Sequence, residues 1–139
     1  MIYLDNSATT WPKPRSVTAA MHTAMMRYSF NSGRGGYRES LAAVERLFAT
    51  RVKLADFINC KPENIAFTPN CTYALNMAIK GVVSEGDSVI ISSLEHNAVA
   101  RPVSALVKRG IIKCDYADYS FDPCETVNNF KKLDRKSVV

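Results

Sequence analysis

Apolar residues recur along this chain with a helical period in its first half and in shorter runs in its second. From Arg15 to Tyr28 they fall at Val17, Ala20, Met21, Ala24, Met25 and Tyr28, which predicts a helix. From Glu39 to Ile58 they fall at Leu41, Val44, Leu47, Phe48, Ala55 and Ile58. That spacing predicts a long amphipathic helix with this stripe buried and Glu45, Arg46 and Arg51 largely facing out. Ahead of both, Ile2-Tyr3-Leu4 is short and extended, Asp5 to Thr10 is a small polar loop, and Pro12 and Pro14 keep the next residues out of helix. Between them, Phe30-Asn31-Ser32-Gly33-Arg34-Gly35-Gly36 is a loop whose glycines permit close backbone approach.

After Pro62 the pattern shortens. Ile65–Thr68 is expected to be a strand, followed by a helix from about Thr72 to Lys80 that Gly81 closes. Glu85-Gly86-Asp87 turns the chain into a strand over Ser88–Ser92. A helix from Ala98 to Arg109 follows, with Pro102 tolerable in its first turn and Gly110 ending it. Ile111 to Tyr116 is expected as a third strand, and Glu125 to Leu133 as a last helix. Strand, helix, strand, helix, strand with short joints implies an α/β fold built from right-handed βαβ units around a mostly parallel sheet. Ligands of such sheets collect at the carboxyl ends of the strands.

The 139 residues suffice for one ordinary domain, and 47% hydrophobic with 22% charged residues is a soluble globular composition. No secretory signal and no apolar run of membrane-spanning length is visible, so a cytoplasmic protein is expected. The net charge of +5 comes from dispersed residues; the local cluster Lys131, Lys132, Arg135 and Lys136 is expected to be a solvated end, with no nucleic-acid partner. Cys60, Cys71, Cys114 and Cys124 are far apart, with no C-x-x-C pair and no His at ligand spacing, so neither a metal site nor disulfides are expected. Cys60 and Cys114 suit small apolar packing positions.

Candidate chemistry sits at two strand ends. In Asn64 to Asn76 an apolar stretch runs through Thr68-Pro69-Asn70-Cys71-Thr72 into a helix. The first N–H groups of a helix lack internal partners and carry partial positive charge, so a small dianion fits that corner. The plain alternative is an ordinary N-cap at Thr72. The next strand delivers Glu95-His96-Asn97 to the same kind of end, and imidazole suits acid–base work near neutral pH. His22, within the first helix, is assigned no such task.

Four segments together resemble the N-terminal part of a class V aminotransferase-type enzyme, specifically the cysteine desulfurase family. They are Tyr3 to Thr10, Asn31 to Arg38, Phe67 to Asn76 and Glu95 to Pro102, in order and at natural spacing over the whole chain. The resemblance implies part of a fold-type-I large domain with pyridoxal 5'-phosphate as cofactor. It implies one N-terminal portion over 1–139, with 1–38 as segment, helix and glycine-rich loop and 39–139 as the start of the α/β cofactor domain. By position, the amides of Cys71 and Thr72 with the Thr72 hydroxyl would hold the cofactor phosphate, and His96 would stack on its ring as a catalytic residue. Asn6, Ser7 and Ala8 would line the substrate end, and Arg34 would reach an active site, that of a partner subunit included.

The family activity implied is removal of sulfur from L-cysteine to give alanine and an enzyme-bound persulfide, in a homodimer that passes sulfur to an acceptor protein. A related class V aminotransferase or lyase, or a phosphate-binding module without the chemistry, is the alternative. The lysine that attaches the cofactor in these enzymes lies further along than this chain reaches. The aspartate facing the ring nitrogen, the arginine for the substrate carboxylate and the persulfide-bearing cysteine lie there too. These 139 residues alone are therefore expected to be inactive, and to self-associate through strand edges and apolar helix faces.

Overall fold

The structure, a computed structural model, describes residues 2–134. The basic residues Arg135 and Lys136 lie outside that range. The chain divides into two compact units, one running up to Ala66 and one from Phe67 onward.

In the first unit, α1 (Arg15–Arg27) and α2 (Arg38–Ile58) are separated by the glycine-bearing loop. Proline at the N-cap starts α1, with the Val17 N–H on the Pro14 carbonyl at 3.0 Å. A left-handed residue, Asn59 (φ 54°), ends α2, and the Cys60 N–H reaches back to the Ala55 carbonyl at 2.9 Å. Asn takes the place glycine usually has in this closure. A single 3-10 turn follows at Pro62–Asn64.

The stripe expected to be buried on α2 is open. Leu41, Val44, Leu47, Phe48 and Ile58 are all exposed, and only Ala55 of that set is buried, joined by Ser40 and Ala43. No residue of α1 is buried. Instead the two helices flank an open apolar cleft of about 520 Å³, with Met21, Met25 and Tyr28 on one side and Ala43, Leu47 and Thr50 on the other. The Arg46 guanidinium lies 5.9 Å from the Tyr28 ring centre, a cation–π contact between the helices.

The second unit is a βαβ unit with helices beside it: α3 (Cys71–Val82), β1 (Ser88–Ser92), α4 (Asn97–Lys108), β2 (Lys113–Ala117) and α5 (Pro123–Asp134). Strands β1 and β2 are parallel, with Ser88 opposite Lys113 and Ser92 opposite Ala117. Ile91, Val103 and Ile112 form the core, with Ile79, Val89, Val99 and Leu106 packed against them. Helices α3 and α4 and strands β1 and β2 each contribute an apolar side to that cluster, so the helix–strand alternation itself builds the core.

Several boundaries differ from expectation: β2 starts at Lys113 and not at Ile111, α5 at Pro123 and not at Glu125, and three further differences have a clear physical reason. Residues 65–68, expected as a strand, join no ladder among the described residues, and Pro69 has no N–H to extend one. Gly81 lies inside the last turn of α3; Val83 is the C-cap, its N–H on the Ile79 carbonyl at 3.1 Å. Pro102 stands in the second turn of α4, because the helix starts at Asn97. It cannot donate to the Ala98 carbonyl, and both residues are buried on the same side of the helix. Gly110 (φ 70°) ends α4 as expected, with the Ile111 N–H on the Leu106 carbonyl at 3.0 Å. That closure directs Ile112 into the core before β2 begins at Lys113.

Among the described residues, no helix is long and apolar enough to cross a membrane, and no three His, Cys, Asp or Glu side chains are grouped to hold a metal ion. All four cysteines are free thiols.

Candidate active site

The corner before α3 is built by Asn70. Its backbone is extended, its side-chain oxygen accepts the Tyr73 N–H at 2.8 Å, and its carbonyl accepts the Ala74 N–H at 3.1 Å. The Thr68 hydroxyl also donates to that carbonyl, at 3.1 Å. The helix therefore has its cap at Asn70, not at Thr72. An asparagine immediately before a helical run is a strong capping signal, and it was available in the sequence. With Tyr73 and Ala74 served, the N–H groups of Cys71 and Thr72, in the first two helical positions, have no intrahelical acceptor. Both residues are exposed.

His96 has the equivalent place before α4. Its backbone is extended, and its Nδ1 accepts the Ala98 N–H at 3.1 Å. This bond leaves the ring proton on Nε2 and fixes the ring's orientation at the helix start. The strand end that delivers it is held by the Ser93 N–H on the Ala117 carbonyl at 2.9 Å, and by the Tyr119 N–H on the Ser93 hydroxyl at 3.1 Å. Imidazole capping needs a ring at that one position, a requirement no capping preference in the sequence expresses.

Thr72 and His96 line one open cleft of about 470 Å³ between α3 and α4. On the α3 side, Asn76 and Lys80 continue the line from Thr72 at four-residue steps; Arg101 and Ala105 do the same on α4. Lys80 and Arg101 are cationic and no acidic residue lines the cleft, so its charge favours an anion. Neither cation was singled out in the sequence, although the i, i+4, i+8 series from Thr72 would have found Lys80. Asn76 donates its side-chain amide to the Thr72 carbonyl at 3.0 Å, one turn back.

The remaining candidates belong to the first unit. Asn6, Ser7 and Ala8 form a turn in which the Asp5 carbonyl accepts the Ala8 and Thr9 N–H groups at 3.2 and 3.3 Å. The Asn6 side-chain oxygen accepts the Trp11 N–H at 3.2 Å, and the Tyr3 hydroxyl donates to the Thr9 carbonyl at 2.8 Å. All three turn residues are exposed. Arg34 is exposed in the turn that follows Asn31, whose side-chain oxygen accepts the Gly33 N–H at 2.8 Å.

One thiol is electrostatically distinct. Burial pushes the Cys114 thiol above its ordinary range; the neighbouring Asp115 charge adds to this and a hydrogen bond with Tyr116 opposes it.

The family model for aminotransferase class-V matches residues 2–133. The chain belongs to that family. It is similar to a probable cysteine desulfurase of Methanothermobacter thermautotrophicus, 38% identical over 79% of this chain and 28% of the relative. It is also similar to a probable cysteine desulfurase of Pyrococcus abyssi, 33% identical over 85% of this chain and 30% of that protein. Among solved structures, the apo cysteine desulfurase of Thermococcus onnurineus NA1 superposes with a TM-score of 0.76 at 30% identity, over 86% of this chain and 30% of that one. The chain thus spans under a third of the length of these relatives, and what it has in common with them is the start of an enzyme fold of the α/β, fold-type-I kind.

Proposed function

We propose that this chain provides the cofactor phosphate seat and the ring-facing histidine of a pyridoxal 5'-phosphate enzyme acting on L-cysteine. The observation that carries the reading is the cleft between α3 and α4, where Thr72 and His96 meet and no acidic side chain opposes an anion. The residues fit a phosphate monoester: two N–H groups of the first helical turn without internal acceptors, a threonine hydroxyl at the second position, and Lys80 and Arg101 along the walls.

When bound, pyridoxal 5'-phosphate supplies an electron sink for amino-acid chemistry. The chain's own residues do the holding and orienting. Cys71 and Thr72 donate backbone N–H groups to the phosphate, and the Thr72 hydroxyl donates a third bond. His96, its Nδ1 fixed by the Ala98 N–H, would stack on the cofactor ring and hold its Nε2 proton for the reacting substrate. Asn6, Ser7, Ala8 and Arg34 contribute to the substrate side in this reading, Arg34 at an active site, that of a partner subunit included. The reaction is removal of sulfur from L-cysteine, giving alanine and an enzyme-bound persulfide for an acceptor protein. The functional assembly is a cytoplasmic homodimer.

Spectroscopic titration of the purified chain with pyridoxal 5'-phosphate, pyridoxal and inorganic phosphate tests the seat. The phosphorylated cofactor should bind more tightly than either part, and Thr72→Val should weaken it about tenfold, the effect of losing one charge-assisted hydrogen bond. His96→Ala should weaken the cofactor and leave inorganic phosphate unaffected. Equal affinity for pyridoxal 5'-phosphate and inorganic phosphate, in wild type and His96→Ala alike, would favour a phosphate-binding module without the ring chemistry.

A further inference from the structure

Arg101 lines two clefts in the second unit, and the proposed function uses only one of them. Besides the cleft with Thr72 and His96, it lines a groove of about 440 Å³ where the side chains of α4 meet Tyr116 of β2. Arg101, Ser104, Ala105 and Lys108 supply the α4 wall, at the three- and four-residue steps that put side chains on one helix face. The groove has two cations and no acidic side chain in its lining.

Three further observations make this a place for an anion and not merely a solvated helix face. Neither Arg101 nor Lys108 has a hydrogen bond or ion pair among the described residues, so both charges stand unneutralised. The hydroxyl of the half-buried Ser104 has no partner among them either, which leaves a donor between the two cations along the helix. Asp115, the neighbour of Tyr116 on β2, pairs with Ile90 and by strand alternation points to the other face.

We propose that this groove is a second anion site, for a phosphate dianion, and that it is coupled to the phosphate seat through Arg101. A guanidinium shared by two clefts cannot be committed to an anion in each, and two bound dianions repel. Filling one site therefore weakens the other, by the same factor in both directions. The coupling rests on the reading of Cys71 and Thr72 as a phosphate seat; the groove itself does not.

The test is a titration of the purified chain with inorganic phosphate at fixed pH and ionic strength, followed residue by residue in NMR spectra. The Cys71 amide reports the seat and the Ser104 amide reports the groove. In wild type each should saturate with its own midpoint. Lys108→Gln should raise the groove midpoint about fivefold, the range of one exposed charge pair, and lower the seat midpoint about twofold. Thr72→Val should do the reverse, moving the seat midpoint upward and the groove midpoint downward. Arg101→Gln should weaken both sites. Thr72, Arg101 and Lys108 are all exposed, so the variants keep the fold.

Absence of a saturable response at Ser104, or a response that Lys108→Gln leaves unchanged, would overturn the groove. A groove midpoint that Thr72→Val does not lower, together with a seat midpoint that Lys108→Gln does not lower, would overturn the coupling. Saturation at Ser104 with no response at Cys71 would count against the phosphate seat, and with it the coupling, while supporting the groove as an anion site in its own right.

Discussion

The unit from Phe67 onward and the unit up to Ala66 have similar helical patterns and place their apolar residues differently. In the former, Val103 is 1% exposed and packs with Ile91 and Ile112, because two strands and two helices each turn one face to the same cluster. In the latter the buried residues are small, Ser40, Ala43 and Ala55, while Leu47, Phe48 and Phe57 are 46%, 50% and 86% exposed. A periodic stripe shows that a helix can bury a face. Whether it does so depends on a second surface, and α1 and α2 offer each other only the sides of an open cleft.

This difference has a measurable core. Val103→Ala should destabilise the second unit by about 2 kcal/mol, since a fully packed side chain leaves a cavity. Leu47→Ala, on an exposed stripe, should cost less than about 1 kcal/mol because little area returns to water. Amide hydrogen exchange resolved by residue reads both units in one sample, and equal costs at the two positions would break the contrast.

A smaller effect is expected at the corner of α3. Asn70→Ala should cost about 1 kcal/mol through loss of the cap. The Tyr73 amide, which Asn70 now accepts at 2.8 Å, should exchange faster while the amides of α2 stay unchanged. Simultaneous loosening of α2 would show that the two units are not independent in stability.

On the open face of the first unit, Phe57→Lys should shift stability by no more than about 0.5 kcal/mol, as is usual for surface positions. It should also reduce self-association in sedimentation velocity, because it removes an aromatic side chain from an exposed patch. A large loss of stability would mean that Phe57 has a partner surface.

The mildest test compares thiols. Cys71 and Cys124, both exposed, should be alkylated by iodoacetamide before Cys114. A raised thiol ionises later as pH rises, so at a given pH Cys114 has less of the reactive thiolate than its ordinary range would give. Its lag should narrow as the medium becomes more alkaline, and a lag that does not change with pH would assign the difference to access alone.

Much of the local structure was legible in the residues. The helices over Arg15–Arg27 and Arg38–Ile58 lie within a residue of their expected limits, since periodicity, Pro14 and Asn59 mark them. Strand β1 falls on Ser88–Ser92 as read from its apolar run and the Glu85-Gly86-Asp87 turn. The misplacements were at positions where one signal stood for two outcomes. Gly81 is permissive in a helix as well as after one, and Ile65 to Thr68 has strand composition without a partner strand among the described residues. For the site, Thr72 and His96 could be named from motif and strand-end logic, whereas Lys80 and Arg101 gain their relevance from facing the same cleft.

By itself the amino-acid order determined where helices start, where the glycines bend the chain, and which side chains could bind a phosphate ester or move a proton. These are local matters, set by backbone sterics, capping and spacing over a few residues. The tertiary structure alone decided that α3 and α4 bring Thr72 and His96 to one cleft. It alone decided that one buried hydroxyl at Ser40 gathers both ends of the Arg34 loop. Those outcomes depend on which surfaces meet, and distant surfaces meet only when the chain has packed.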